Sequence, residues 1–404
     1  MKIQLMVIFG GKSVEHEISI ISAIQAINRV DREKYDVVPV YLTKDNELYS
    51  GEDVAKIENY RDIPALKKSA SRVVLAKEGE RVYLYSHPEA KGFKKIKKQI
   101  DIAFPIVHGE GVEDGSIQGY LKTLGLPFIG SDVIASAAGM DKHVMKTVLA
   151  DAGVPVLDCE TFTKFEYEKD PERIMDALEA KFGYPVIVKP ATLGSSIGIS
   201  KAKDRAELSD ALELACEFAA KILVERAITN LREINCSVVG DVEEADASEC
   251  EEPLNATTIL SFEDKYMGGG KGGAKSGAKG SGMASLARKI PADIPPSMRE
   301  EVRSLAVKTF KALGCNGVSR IDFLLDVDDG NKIYVNEINT IPGSLSFYLW
   351  EPLGIPYTKL IDRLVELALK RQREEKGLLH SFDSNVLSLC SSGALSGSKG
   401  KLRV

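Results

Sequence analysis

The chain has little that would tie it to a secreted scaffold, a nucleic acid or a membrane. Its six cysteines (Cys159, Cys216, Cys236, Cys250, Cys315 and Cys390) are scattered along 404 residues, and no two form a Cys-x-x-Cys pair. That spacing argues against a disulfide framework and a zinc site, and fits a reducing cytosol. A net charge of −6 gives no support for nucleic-acid binding, and the one local basic run, residues 91–98, reads as a solvated surface. No segment approaches the length of a membrane span, so no membrane insertion is expected. The apolar start, residues 1–11, is too short for a signal peptide and runs into a glycine pair, so it reads as a first core strand. Five histidines are too scattered to suggest a Ser-His-Asp arrangement. The hydrophobic (44%) and charged (28%) fractions are those of an ordinary soluble globular protein, and the length predicts two or three domains.

What the sequence does contain is concentrated between Gly317 and Asn339. Two apolar strands (Phe323, Leu324, Leu325; Ile333, Tyr334, Val335) flank Asp329-Gly330, a dipeptide suited to a two-residue type I′ turn. With the turn there, Asp328 faces Asn331, Asp322 falls opposite Glu337, and Arg320 opposite Asn339. Side chains alternate faces along a strand, so these last four converge on one patch. Two carboxylates and an amide oxygen suit Mg²⁺, which takes few protein ligands and shares the rest with phosphates and water. A charged, solvated sheet face is the plainer alternative, and the apolar flanks weigh against it.

Elsewhere, a strand over 3–9, a loop to Glu17, a helix over 19–30 and a strand over 35–42 open an α/β unit with a parallel sheet. Residues 72–76 and 81–86 read as a small hairpin, and 100–107 as a further apolar strand followed by a glycine-rich loop, 108–115. Ligands of open α/β sheets sit at such loops. Residues 132–153 are strongly helical. Strands at 186–189 and 199–201 flank the loop 190–198, where Gly194, Gly198, Ser195 and Ser196 offer backbone and hydroxyl donors to an anion. A helix over 205–218, strands at 221–225 and 232–239, helices over 296–313 and 357–371, and a serine- and glycine-rich end expected to be disordered complete the chain. Two motifs mislead. Gly10-Gly11-Lys12-Ser13 lacks the earlier glycine of a Walker A loop, where Met6 stands, and the glycines of 268–273 lack a Rossmann strand and helix.

Taken in order, Gly10-Gly11 through Glu15 and Glu17, His108 through Gly115, Met140-Asp141-Lys142, Lys189-Pro190, Gly194-Ser195-Ser196, Lys265-Tyr266, Arg320-Ile321-Asp322 and Asn336-Glu337 through Gly343 resemble the D-alanine–D-alanine ligases of the ATP-grasp superfamily. The resemblance covers residues 1 to about 370. It implies an α/β and α+β multidomain fold, with an open parallel α/β substrate-binding domain (1–130) before a two-lobed ATP-grasp fold. The small lobe would span 131–226, the C-terminal lobe with the metal hairpin 227–375, and the tail 376–404. The implied activity is ATP-dependent ligation of two D-alanines through an acylphosphate, in the cytoplasm, for peptidoglycan synthesis.

Roles carry over by position. Lys142 and Lys189 would contact ATP phosphates, together with the Gly194–Ser196 loop, and Lys265 the γ-phosphate. Glu225 would hold the adenine amino group beside the backbone of Ala227 and Ile228, and Glu233 the ribose hydroxyls. Asp322, Glu337 and Asn339 would bind two Mg²⁺, with Mn²⁺ as a substitute. Glu15, helped by His108, would receive the first substrate's ammonium; the plainer reading of Glu15 is a helix cap. Ser195 and Tyr266 would orient Glu15 and close the site. Arg320 and the Gly343 N–H would form the oxyanion hole. Ser344 or Ser346 would hold the second substrate's carboxylate. Family members are often dimers, so a homodimer is compatible with the resemblance.

Three departures qualify it. One extra residue separates Glu225 from Glu233. The run 268–282 is longer and richer in Gly and Lys than the family's closing loop; it reads as a flexible insertion, or as a lid whose Lys271, Lys275 and Lys279 sense phosphate. The segment 343–352 is shortened, which leaves room for a related ligase with a different second substrate such as D-serine. A silent nucleotide-binding protein would have lost the metal carboxylates, and Asp322 and Glu337 are intact.

Overall fold

The computed structural model describes residues 2–88, 96–254 and 288–379. Residues 1–368 form one compact unit; in the second unit, the described residues are helical as far as Lys376.

The first sheet contains β1 (Ile3–Gly10), β2 (Tyr35–Leu42), β3 (Leu48–Ser50), β4 (Ser71–Glu78), β5 (Arg81–Ser86), β6 (Lys97–Ile100) and β7 (Ile102–Val107), in the order β6-β5-β4-β3-β2-β1-β7. The expected parallel arrangement holds for β2, β1 and β7. Beyond β2 the sheet continues as an antiparallel meander. The apolar stretch expected as one strand, 100–107, divides at Asp101, whose carboxylate accepts the Gln4 N–H at 2.8 Å. Residues Leu5 to Phe9 of β1 are wholly buried, as a parallel strand covered on both faces requires. The helix His16–Ile27 packs on β1 and β7. Its Ser19 hydroxyl accepts the Gly10 N–H and donates to Ile106 O, fixing the loop that begins at Gly10.

The second sheet, β8 (Cys159–Thr163), β9 (Val186–Pro190), β10 (Ser200–Ala202) and β11 (Lys221–Arg226), is antiparallel in the order β10-β9-β11-β8. Helices Pro171–Phe182 and Arg205–Phe218 cover it, capped by Asp170 and Asp204, and their Leu178 and Leu212 pack with Val188 and Ile222. The helix expected over 132–153 is two helices, Val133–Met140 and Lys142–Asp151. Asp141, extended at φ −86° and ψ 105°, breaks the first and caps the second by accepting from His143 N and Val144 N.

The third sheet, β12 (Leu231–Gly240), β13 (Ala245–Pro253), β14 (Arg288–Lys289), β15 (Gly317–Asp326) and β16 (Lys332–Asn339), runs β14-β13-β12-β15-β16. The helix Pro296–Ala312 buries Val302, Ala306 and Phe310 against it. Among the described residues no helix is long and apolar enough to cross a membrane.

Candidate active site

The cross-strand pairs on β15 and β16 are those the sequence predicts: Arg320 opposite Asn339 and Asp322 opposite Glu337. The route to that register differs. The hairpin closes one residue earlier, with Asp326 opposite Lys332 and a loop over 327–331 in which Gly330 and Asn331 take positive φ. A β-bulge then restores the register, because Phe323 pairs with Val335 and Asn336 is the extra residue. The bulge gives Asn336 a role the sequence did not announce: its Oδ1 accepts from Lys189 Nζ at 3.3 Å.

Arg320 grips Asp322 with two bonds, Nε to Oδ1 at 2.6 Å and Nη2 to Oδ2 at 2.7 Å, and Asn339 Nδ2 donates to Oδ2 at 3.2 Å. Burial lifts the Asp322 carboxyl above its usual range; Arg320 opposes the shift, while Glu337 and Glu251 add to it. A patch whose carboxylates repel one another in this way favours an added cation. Among the described residues no cluster of three or more His, Cys, Asp or Glu side chains suits a metal. Two carboxylates and one amide are nonetheless the sparse oxygen set that Mg²⁺ uses when phosphates complete its shell.

Three adjoining chambers form one cleft. The first, about 670 Å³ of open space, has apolar walls from Leu157, Ile187, Ile228, Leu231 and Leu324, with Lys189, Glu225, Glu233 and Asn336 among its polar lining. The second shares Lys189, Ser196, Glu233 and Asn336 with it, and adds Lys142, Asp322 and Glu337. The third shares Lys142 and Glu337 with the second, and adds Glu15, Gly109, Glu113, Gly194, Asn339 and Thr340. Lys142 Nζ donates to Leu193 O at 2.7 Å and lies 3.4 Å from Glu337 Oε2. Lys189 Nζ is 2.5 Å from Glu225 Oε1, so in this arrangement it faces the first chamber as well as the second. The Ala227 N–H donates to Pro185 O, and Ala227 and Ile228 are both buried.

At the far end, Glu15 stands at the N-cap of the helix His16–Ile27 but makes no side-chain cap; its carboxylate accepts a short hydrogen bond from Ser195 Oγ. Ser195 and Ser196 are both left-handed, at φ 54° and 59°, which turns the loop between β9 and β10 toward Glu15. Glycine at 194 eases the close approach, because a Cβ there would lie 3.0 Å from Glu15 Oε2 and the carboxylate would have to give way. His108 is buried, its Nε2 is 3.1 Å from Ser22 Oγ, and burial brings its pKa down to about 4, so the ring is neutral. Ser22 Oγ accepts in turn from Ser344 N at 3.0 Å.

Glu113, quoted in the motif but given no role from sequence, ties this end together. It accepts from Gly109 N at 3.0 Å, Ile341 N at 2.9 Å and Thr340 Oγ1 at 3.4 Å. Burial, together with the charge of Glu15, pushes its pKa up to about 7. The next turn, after Gly343, is left-handed at three successive residues: Ser344, Leu345 and Ser346 have φ of 53°, 51° and 50°. Ser344 is committed, its Oγ donating to Gln25 Oε1 at 2.7 Å, whereas the buried Ser346 Oγ has no hydrogen-bond partner among the described residues. Beside this turn, Tyr348 OH donates to Glu251 Oε1 at 3.2 Å, and Arg288 both pairs with Glu251 and lies over the Tyr348 ring. Lys265, Tyr266 and the run 268–282 lie outside the described residues, as does the chain from 380.

Two family models match the chain, "D-ala D-ala ligase N-terminus" over residues 4–131 and "D-ala D-ala ligase C-terminus" over 148–366. The chain belongs to the D-alanine–D-alanine ligase family. A relative from Thermosipho melanesiensis, described as a D-alanine–D-alanine ligase, is 38% identical over 386 residues, covering 95% of this chain and 98% of that protein. The VanG D-Ala:D-Ser ligase of Enterococcus faecalis superposes with a TM-score of 0.72 at 30% identity, covering 91% of this chain and 100% of that one. The D-alanine–D-alanine ligase of Bacillus anthracis, solved with ATP, does so with 0.63 at 26% identity, covering 92% and 99%. The chain therefore has the family's ATP-grasp fold.

Proposed function

We propose that this ligase joins two D-alanine molecules at the expense of ATP, through an acylphosphate, as a step of peptidoglycan precursor synthesis in the cytoplasm. The observation that carries the reading is the continuous cleft: a chamber with apolar walls and the buried Glu225 carboxylate, a chamber of lysines and carboxylates, and a chamber ending at Glu15. The adenine fits the first, with Glu225 taking its amino group and Glu233 the ribose. The phosphates fit the second, near Lys142, Lys189 and the Gly194–Ser196 loop. The substrate's ammonium fits the third, on Glu15 held by Ser195.

A carboxylate is a poor electrophile, so the first D-alanine's carboxylate attacks the γ-phosphate and ADP leaves. Asp322, Glu337 and Asn339 would hold Mg²⁺, two ions on this reading, which when bound offsets the charge of the transferring phosphoryl group. Lys142 would add positive charge to the same oxygens, as would Lys265, which lies outside the described residues. The second D-alanine's amine then attacks the acyl carbon, and phosphate leaves. Arg320 and the Gly343 N–H would stabilise the oxyanion that develops. Of the two candidate serines, Ser346 is the better partner for the second substrate's carboxylate, because its hydroxyl is uncommitted among the described residues while that of Ser344 is bonded to Gln25. Tyr266 would close the site over Glu15. Water exclusion protects the acylphosphate. On this reading the chain divides into a substrate-binding domain over 1–130, lobes over 131–226 and 227–375, and a tail.

The test is phosphate release from ATP with single and paired amino acids, with product mass determined. D-alanine alone should give D-alanyl-D-alanine. Preferred incorporation of D-serine or another acceptor at the second position would replace the second substrate, and no phosphate release with any D-amino acid would end the reading.

A further inference from the structure

Lys146 lies one turn after Lys142 on the helix Lys142–Asp151, so both side chains leave the same face. Yet Lys142 lines the cleft, whereas Lys146 is buried behind it. Lys146 Nζ donates to Leu157 O at 3.0 Å and to Glu225 Oε2 at 2.5 Å. Lys189 Nζ holds the other oxygen of the same carboxylate, also at 2.5 Å. Glu225 is thus an acid with 2% of its surface exposed, gripped from both sides. Its pKa records the balance: burial pushes it up, and Lys189 and Lys146 more than offset that, leaving it at about 2. Cys159, opposite on β8, is a further titratable neighbour.

The two lysines are not equivalent. Lys189 lines both the base chamber and the phosphate chamber and also reaches Asn336, so an incoming nucleotide competes for its ammonium. Lys146 lines neither chamber and is fixed by a backbone carbonyl. When Lys189 turns to the nucleotide, Lys146 is the counter-ion left to Glu225. An ionised carboxylate only accepts hydrogen bonds. It therefore welcomes a 6-amino group and repels a 6-keto oxygen, whereas a protonated carboxyl could donate to that oxygen. Resting on the nucleotide reading of this cleft, we propose that Lys146 is a positioning residue for base selectivity: by keeping Glu225 ionised and oriented, it makes the cleft choose a 6-aminopurine over a 6-oxopurine nucleotide.

The experiment is calorimetric binding of Mg-ADP and Mg-IDP, which differ at position 6, to the full-length wild type, Lys146→Gln, Lys146→Arg and Lys146→Met. Gln keeps donors toward Leu157 O and Glu225 but carries no charge. The wild type should prefer ADP by roughly ten- to a hundredfold, the worth of a hydrogen bond to a charged acceptor. In Lys146→Gln the preference should fall to about threefold or less, mainly through weaker ADP binding, and Lys146→Arg should restore most of it. A purely structural lysine would weaken both nucleotides equally. An unchanged ADP-to-IDP ratio in Lys146→Gln, or an equal loss of both, overturns the proposal; if Lys146→Met does not fold, the Gln and Arg variants still decide it. Because the readout is binding, it stands apart from turnover: a wild type that binds ADP selectively but ligates nothing would sink the ligase reading and leave this one standing, and a wild type that binds neither nucleotide would sink both.

Discussion

A buried carboxylate that accepts three hydrogen bonds and faces a second carboxylate is pulled two ways, and at Glu113 burial and Glu15 win. Its pKa rises from 4.5 to about 7 in the fold. Between those values the native protein holds a proton that the unfolded chain has lost. Stability from this group is therefore full below about pH 4.5 and is lost as pH rises toward 7, by roughly 3 kcal/mol in all. Glu113→Gln should flatten the denaturation midpoint against pH across that window; an unchanged slope would show that another group sets it. Asp322 and Glu337 give a contrast. Asp322→Asn and Glu337→Gln should each reduce turnover at least about a hundredfold. Only Asp322→Asn should also lower stability, by about 3 kcal/mol, because it leaves the buried Arg320 guanidinium without its bidentate partner. Near-normal Mg²⁺-dependent ADP production in both variants would remove the metal assignment. At this scale the sequence names the charged groups well, because their spacing and order are informative. It says little about Glu113 or Lys146, whose partners, Ile341 and Glu225, lie far along the chain.

Two elements show where sequence logic reaches and where it stops. The hairpin register is legible from one turn dipeptide, but only because the bulge at Asn336 makes up for a turn that closes a residue early. No local signal marks that bulge; it is the tertiary contact between Asn336 and Lys189 that gives it a use. Strand β13 is acid-rich with no β-branched residue, so its strand state comes from pairing with β12 and from the helix Pro296–Ala312 behind it. The helix Arg205–Phe218, by contrast, is amphipathic and capped, and its bounds are those read from sequence. The left-handed turn at Ser344, Leu345 and Ser346 is the element with the most strain, at about 1–2 kcal/mol per residue. Ser346→Gly should therefore be more stable than Ser346→Ala by about 1 kcal/mol. Both should raise KM for the second D-alanine more than for ATP. If neither KM moves, the Ser346 hydroxyl does not hold the second substrate.

Across the whole molecule, three sheets supply one cleft. The helix start after β1 provides Glu15, the second sheet provides Lys189, the Gly194–Ser196 loop and Glu225, and the third provides Asp322, Glu337 and Asn339. The order of motifs along the chain makes this division readable in advance. The extension of the first sheet into an antiparallel meander is not readable in that way, since short strands such as β3 and β6 acquire their state from their neighbours. The central claim is that the first substrate's carboxylate oxygen passes to phosphate. The direct measurement is turnover of D-alanine labelled with ¹⁸O in its carboxylate, followed by mass analysis of the released phosphate and the dipeptide. The account predicts one labelled oxygen in each phosphate, matched one for one with D-alanyl-D-alanine formed; dipeptide accompanied by unlabelled phosphate would contradict it.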